Sequence, residues 1–195
     1  MKLDAFTAYG IEIEYAIVNR ADLSIRPIAD RLLHLETGSD VSEVNRGMLG
    51  WSNEMALHLI ELKNQRPTTT ITYLPSTFQR EVRHINALLR TMEARLMPGA
   101  MHPWMDPCKE TRLWPHDNAD IYQAYASIFN TTPHGWENLQ RMHVNLPFAD
   151  DRQFTRLHEA IRMVLTIIPA LAASSPIAGG KQTGFADYRM EAYRT

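Results

Sequence analysis

The alternation of apolar and polar positions is clearest near the start of the chain, where Tyr9-Gly-Ile-Glu-Ile-Glu-Tyr-Ala-Ile-Val18 reads as a strand. Side chains two apart in an extended chain share a face, so Glu12 and Glu14 stand together while Ile11, Ile13 and Tyr15 face the other way. Asn19-Arg-Ala-Asp22 predicts a turn, and Leu23-Ser-Ile-Arg-Pro27 a segment returning antiparallel to the strand. A short helix over residues 28–36 follows, with Gly38 as its stop. Residues 47–51 and 55–62 predict two further strands joined by Ser52-Asn53. The second of these is almost continuously apolar, so it should be buried on at least one face.

Helical spacing takes over at Ser76. Ser76-Thr-Phe-Gln79 has the form of a capping box, and Phe78, Val82, Ile85, Leu89, Met92 and Leu96 recur at steps of three and four. Arg80, Arg83, Arg90 and Glu93 then form a solvated face. A second helix is predicted over residues 119–129. A third opens at Asp151, with Phe154, Leu157, Ile161, Val164, Leu165 and Ile168 as its apolar stripe and Pro169 kinking or ending it. Residues 97–117 hold Pro98, Pro103, Pro107 and Pro115 without periodicity, a loop in which Met101-His-Pro-Trp104 is a candidate site lining. Short strands followed by long helices predict an α+β fold, a mainly antiparallel sheet with helices packed on one face, as a single domain over residues 1–195.

Composition narrows the classes. With 195 residues, 45% apolar and 22% charged, the chain can bury one core, and its net charge of −2 gives no charge-driven nucleic-acid surface. One cysteine, Cys108, excludes an internal disulfide and fits a reducing compartment; Asp106-Pro-Cys-Lys109 has no nucleophile motif, and the expectation is a buried or incidental thiol. No apolar leader segment follows Met1, and the longest apolar tract, residues 163–173, is too short to span a bilayer. A soluble cytoplasmic protein is expected, without nucleic-acid or membrane partners. The stop at Thr195 directly after a charged and aromatic run reads as the first part of a longer protein.

The chemistry lies in carboxylates placed among apolar residues. Glu12 and Glu14 side by side repel, and a divalent cation is one way to keep both ionised; a half-exposed strand with a polar face is the other reading. Glu61, inside Leu59-Ile-Glu-Leu62, is costly to bury without a cation or a basic partner such as Lys63 or Arg66. Glu54 lies seven residues earlier, so it shares a site with Glu61 only if it precedes the strand or a bulge intervenes. In Arg141-Met-His-Val-Asn-Leu-Pro147, His143 and Asn145 repeat the i, i+2 arrangement, one a metal ligand or structural histidine, the other a donor or acceptor for a ligand. Ser174-Ser-Pro-Ile-Ala-Gly-Gly-Lys-Gln-Thr-Gly184, which leads to Arg189 and Arg194, lacks the Walker order, but its Gly and Ser amides with Lys181 and Arg189 could hold phosphates. A plain surface loop is equally open there.

Together, Gly10-Ile-Glu-Ile-Glu14, the Glu54 and Glu61 pair, Met142-His-Val-Asn145, Ala172-Ala-Ser-Ser-Pro176 and Gly184-Phe-Ala-Asp-Tyr-Arg189 resemble, in order, the motifs of the glutamate–cysteine ligase family, type 2, the carboxylate–amine ligases. The resemblance implies a fold like that of glutamine synthetase and the guanidino kinases, incomplete here. It implies an ATP- and Mg²⁺- (or Mn²⁺-) dependent ligase that joins an amino-acid carboxylate such as glutamate to an amine such as cysteine through an acyl phosphate, as in glutathione biosynthesis. By the same resemblance Glu12, Glu14, Glu54, Glu61 and His143 are metal ligands, and Asn145 and Arg189 contact the nucleotide or the transferred phosphoryl group; Lys181 joins the nucleotide-binding candidates from its loop alone. A homo-oligomer stays open. Asn145 and Pro147 stand where type 2 sequences commonly have histidine and glycine, His143-x-Asn145 and Tyr188-Arg-Met190 resemble the type 1 enzymes, and Asn64 replaces a frequent threonine. The other readings are a relative that binds nucleotide or amino acid without catalysis, and a metal-dependent hydrolase, for which there is no His-Glu-x-x-His motif.

Overall fold

The computed structural model describes residues 2–194, the side chains of residues 133 and 134 excepted; Met1 and Thr195, the terminus read above as a stopping point, lie outside the described residues. In chain order the elements are β1 (Gly10–Asn19), α1 (Ala29–Thr37), β2 (Glu43–Asn45), β3 (Leu49–Asn53), β4 (Leu59–Asn64), α2 (Leu74–Arg90) and β5 (Ala94–Met97). Then come α3 (Pro107–Glu110), α4 (Ala119–Phe129), α5 (Thr131–His134), a 3₁₀ turn (Trp136–Asn138), β6 (Met142–Asn145), α6 (Asp151–Val164), α7 (Ile168–Ala172), β7 (Ile177–Ala178), β8 (Lys181–Gln182) and α8 (Arg189–Arg194). The result is the expected α+β fold around an antiparallel sheet.

β1 is the axis of that sheet, whose order is β2-β3-β4-β1-β5. β4 runs along one edge of β1, with Glu14 opposite Glu61 and Tyr15 opposite Ile60. The other edge is shared end to end: β5 pairs with Ala16–Asn19, and β6 with Gly10–Ile13. Pleating then sorts the faces. Ile11, Ile17, Ile60, Leu62 and Trp51 point to one side, where Leu32 and Leu33 of α1 and Phe78, Ile85 and Leu89 of α2 cover them. Glu12, Glu14 and Glu61 are left on the opposite side. Further along that side Ala16, Val18 and Leu59 pack with Ile25, Ala56 and Met105. Gly10 admits the close approach of β6, because a Cβ there would stand 3.0 Å from the Asn145 Cβ.

Several expected boundaries move. The segment after the first turn does return, through a single antiparallel bridge from Ile25 to Val18. β3 and β4 run later than expected, and Ser52 lies inside β3 opposite Glu61 instead of in the connection. α2 starts at Leu74 with Pro75 in its first turn, and the Ser76 hydroxyl donates to the Tyr73 carbonyl, so the capping box is not used. The helix also stops at Arg90: Glu93 takes a left-handed φ of 54°, and Leu96 belongs to β5, not to the helical stripe. α6 is capped by Asp150, whose carboxylate accepts from the Gln153 amide. Of its apolar stripe only Leu157 is buried, whereas Phe154, Ile161, Val164, Leu165 and Ile168 are exposed. α7 opens at Ile168, four residues beyond the end of α6, with Pro169 in its first turn, so the proline does not kink α6. No described helix is long and apolar enough to cross a membrane.

Candidate functional site

The polar half of the β1 face is the floor of a basin of about 510 Å³. Alternation along β1 brings Glu12 and Glu14 to it, cross-strand pairing adds Glu61 from β4, and β6 adds His143 opposite Glu12. Glu54 comes from neither strand. It follows directly after β3 in a connection pinned by Trp114, whose amide donates to Met55, and by Leu57, whose amide donates to Arg112. The condition set by its odd spacing from Glu61 is met, and both enter one basin.

Two overlapping sets of ligand atoms result, each within 4.8 Å: Glu12, Glu61 and His143 in one, Glu14, Glu54 and Glu61 in the other. Glu61 belongs to both. The expected Lys63 partner is also real, with its ammonium 3.5 Å from Glu61, and the Ser52 hydroxyl donates to the same carboxylate at 3.0 Å. Glu12 is bracketed by the His143 Nδ1, 3.0 Å away, and by the Asn145 amide, which donates at 2.9 Å. The buried Glu14 accepts from the Arg141 backbone amide at 3.0 Å and lies 3.4 Å from its guanidinium. Opposite this floor stand Tyr122 and Tyr125 of α4, Trp136 of the 3₁₀ turn and Tyr193 of α8. The Asn53 amide donates to the Tyr122 hydroxyl, which ties this aromatic wall to β3.

The electrostatics show a basin short of positive charge. Burial, with Glu14 and Glu61 close by, pushes the Glu54 carboxyl up to about 8, and burial also raises Glu14 against the pull of Arg141. Hard oxygen donors with one imidazole, held close and lacking counter-charge, fit a divalent cation such as Mg²⁺ or Mn²⁺. His58 is wholly buried, and burial depresses it to about 4.

These shifts set a pH profile for folding. His58 takes up its proton in the unfolded chain at about 6.5 and in the folded chain at about 4, so acidification through that window destabilises the fold, by up to about 3 kcal/mol. Glu54 acts with the opposite sign. The folded chain holds its proton from about 4.5 to about 8, so stability is lost as pH rises through that window. The expected outcome in chelator is a plateau between about pH 4.5 and 6.5 with a decline on either side. Urea unfolding across pH checks this: Glu54→Gln should remove the alkaline decline and replace the plateau with a fall in stability from about pH 6.5 to about 4.

The remaining sequence candidates lie elsewhere. Arg189 is partly buried against Asp187, to which Nε and Nη2 donate at 2.8 and 2.9 Å, and it also donates to the Gln140 and Ala172 carbonyls. It does not line the basin. Lys181 is exposed on the β7–β8 hairpin, which rests on Pro103 through the Gly180 amide. Arg194 pairs with Glu191. Met101 and Trp104 line a separate cavity of about 440 Å³, and His102 is structural, donating from Nε2 to Leu23 and accepting from the Met105 amide. Asn64 clamps backbone, accepting from Ile11 and donating to Tyr9. Cys108 is exposed. Two features went unread in the sequence. Arg141 is the arginine that reaches the acids, and the i, i+3 spacing of Tyr122 and Tyr125 was the one local sign of the aromatic wall.

An antiparallel sheet whose polar face gathers four carboxylates and an imidazole under an aromatic wall defines a protein with the donor set for hard divalent cations. The chain belongs to glutamate–cysteine ligase family 2, whose sequence profile matches residues 8–195. An uncharacterised protein of Archaeoglobus fulgidus is 35% identical over 95% of this chain and 49% of its own length. Two proteins provisionally named glutamate–cysteine ligase 2, from Cupriavidus metallidurans and Leptothrix cholodnii, are 29% and 27% identical over 93% of this chain and 46% and 45% of theirs. The chain thus spans about half the length of the curated relatives it matches. Among solved structures, a bifunctional glutathione synthetase from Pasteurella multocida aligns with a TM-score of 0.44 at 18% identity, over 79% of this chain and 19% of that one.

Proposed function

We propose that this chain forms the cation- and nucleotide-binding floor of an ATP-dependent carboxylate–amine ligase of the glutamate–cysteine ligase type, on a fold of the glutamine synthetase and guanidino kinase kind. The observation that carries this is the convergence of Glu12, Glu14, Glu54, Glu61 and His143 from three strands and a connection onto one basin. In this reading a substrate carboxylate attacks the γ-phosphorus of ATP, ADP leaves, and an amine displaces phosphate from the acyl phosphate. Little covalent work falls to the protein; position and charge do most of it. Bound Mg²⁺ or Mn²⁺ supplies charge neutralisation at the phosphate oxygens. Glu61 orients both donor sets, Asn145 and His143 fix the Glu12 carboxylate, and the aromatic wall excludes water from above. Arg189 acts by holding the Gln140 carbonyl, one residue before Arg141. Glutamate and cysteine as substrates, glutathione biosynthesis and a cytoplasmic setting belong to this reading as its finer parts.

The test is Mg²⁺-dependent ADP release with ATP, glutamate and a panel of amines, against Glu12→Gln. Release that needs both substrates and falls at least a hundred-fold in the variant, with an unchanged thermal melt, is expected. A second reading rests on the chain spanning half of its relatives: a nucleotide- or amino-acid-binding partner without turnover. Calorimetry would then show metal-dependent ATP binding that Glu12→Gln abolishes, with no ADP formed.

A further inference from the structure

Among the described residues Arg141 is the one guanidinium that lines the basin, and its surroundings hold it there. Its Nε donates to the Tyr193 hydroxyl at 2.8 Å, and its guanidinium carbon sits 5.1 Å from the Trp136 ring centroid. Toward Glu14 the contacts are long, 3.5 and 3.4 Å from Nη1, and the buried Nη2 has no partner. A bidentate fork would have cancelled the two charges locally. This arrangement is not such a fork: Tyr193 and Trp136 hold the guanidinium beside the second donor set, where it faces Glu14 and Glu54 with Nη2 unpaired.

The charge balance gives that placement a consequence. With Glu54 giving up its proton when a cation binds, the four carboxylates carry four negative charges, and Arg141 and Lys63 return two. Two divalent cations would then overshoot neutrality, and an anion carrying two or more charges would restore it. A cation alone is opposed by Arg141, whereas a cation with a polyphosphate is not.

Resting on the cation–nucleotide reading above, we propose that Arg141 is a positioning residue that couples the two ligands. It holds down the affinity for a lone divalent cation and so makes cation and polyphosphate bind together. Such coupling is reciprocal: each ligand tightens the other by the same factor.

The experiment uses the whole chain with Mn²⁺ as probe, free Mn²⁺ being read by electron paramagnetic resonance with and without inorganic pyrophosphate and corrected for the Mn²⁺–pyrophosphate complex in solution. Wild type should show Mn²⁺ binding tightened about ten-fold or more by pyrophosphate. Arg141→Met should bind Mn²⁺ alone about ten-fold tighter and lose most of the coupling. Arg141→Lys keeps the charge without the stacked plane and should stay near wild type in both, which a purely structural role would not give. Unchanged affinity and coupling in a folded Arg141→Met, or weaker Mn²⁺ binding, would overturn the proposal. If that variant does not fold, the wild type decides: Mn²⁺ binding indifferent to pyrophosphate overturns it. Wild type that binds no Mn²⁺, or binds it as well with Glu61→Gln, overturns the cation site itself and this inference with it.

Discussion

Glu61→Gln is expected to abolish divalent-cation binding at both positions at once, with Mn²⁺ affinity falling at least a hundred-fold and any ADP release lost with it. Each of the other acids serves one donor set, whereas Glu61 serves both. The loss is chemical, not architectural. An amide oxygen can still accept from the Ser52 hydroxyl, and the backbone ladder through Glu14 and Ser52 needs no carboxylate. Removing the Glu61 charge also relieves repulsion on Glu54, so the variant should melt at or slightly above the wild-type temperature in chelator. Mn²⁺ titration with a parallel thermal melt checks both halves. Loss of binding together with loss of fold would show Glu61 to be structural.

The largest effect on stability is expected from Trp51→Ala, at about 3–5 kcal/mol. Trp51 is fully buried between the sheet and the α1–α2 layer, and its indole Nε1 donates to the buried Glu81 at 3.2 Å. Truncation leaves a cavity and strips Glu81 of one of two donors, the other being Arg46 at 3.3 Å. The second loss is specific to the indole. Trp51→Phe keeps most of the volume and should cost about 1–2 kcal/mol, reporting the hydrogen bond and a small packing change. Urea unfolding of the pair separates the two contributions. A cost below about 1 kcal/mol for Trp51→Ala would mean that α1 and α2 do not share a tight core with the sheet.

What the sequence disclosed follows from what local periodicity can carry. β1, β4 and the shared face of Glu12 and Glu14 were legible because a two-residue repeat fixes the face whatever the neighbours are. The pairing of Glu54 with Glu61 was legible only as a condition, since a connection and not a strand delivers Glu54. β5 was hidden because Met92 and Leu96 continue the spacing of α2, and nothing local announces the left-handed turn at Glu93. The apolar stripe of α6 was legible as a stripe, and most of it is exposed: period reports amphipathicity, not what covers it. Arg189 and Arg141 are equally plausible phosphate ligands on residue type, and only the fold separates them. Asp187, two residues before Arg189, captures its guanidinium, while β6 carries Arg141 to the acids.

The division of the β1 edge between β5 and β6 has a dynamic consequence. The β5 half, at Ala16–Asn19, is sealed by residues such as Ala94 and Leu96 in the main core, so it exchanges its amides only when the whole molecule unfolds. The β6 half, at Gly10–Ile13, is closed by a strand whose four residues are all exposed. That half can breathe alone, at far lower cost. The acid floor therefore straddles a boundary between two cooperative units, and a ligand gripping Glu12, His143 and Glu61 together would staple the loose unit to the rigid one.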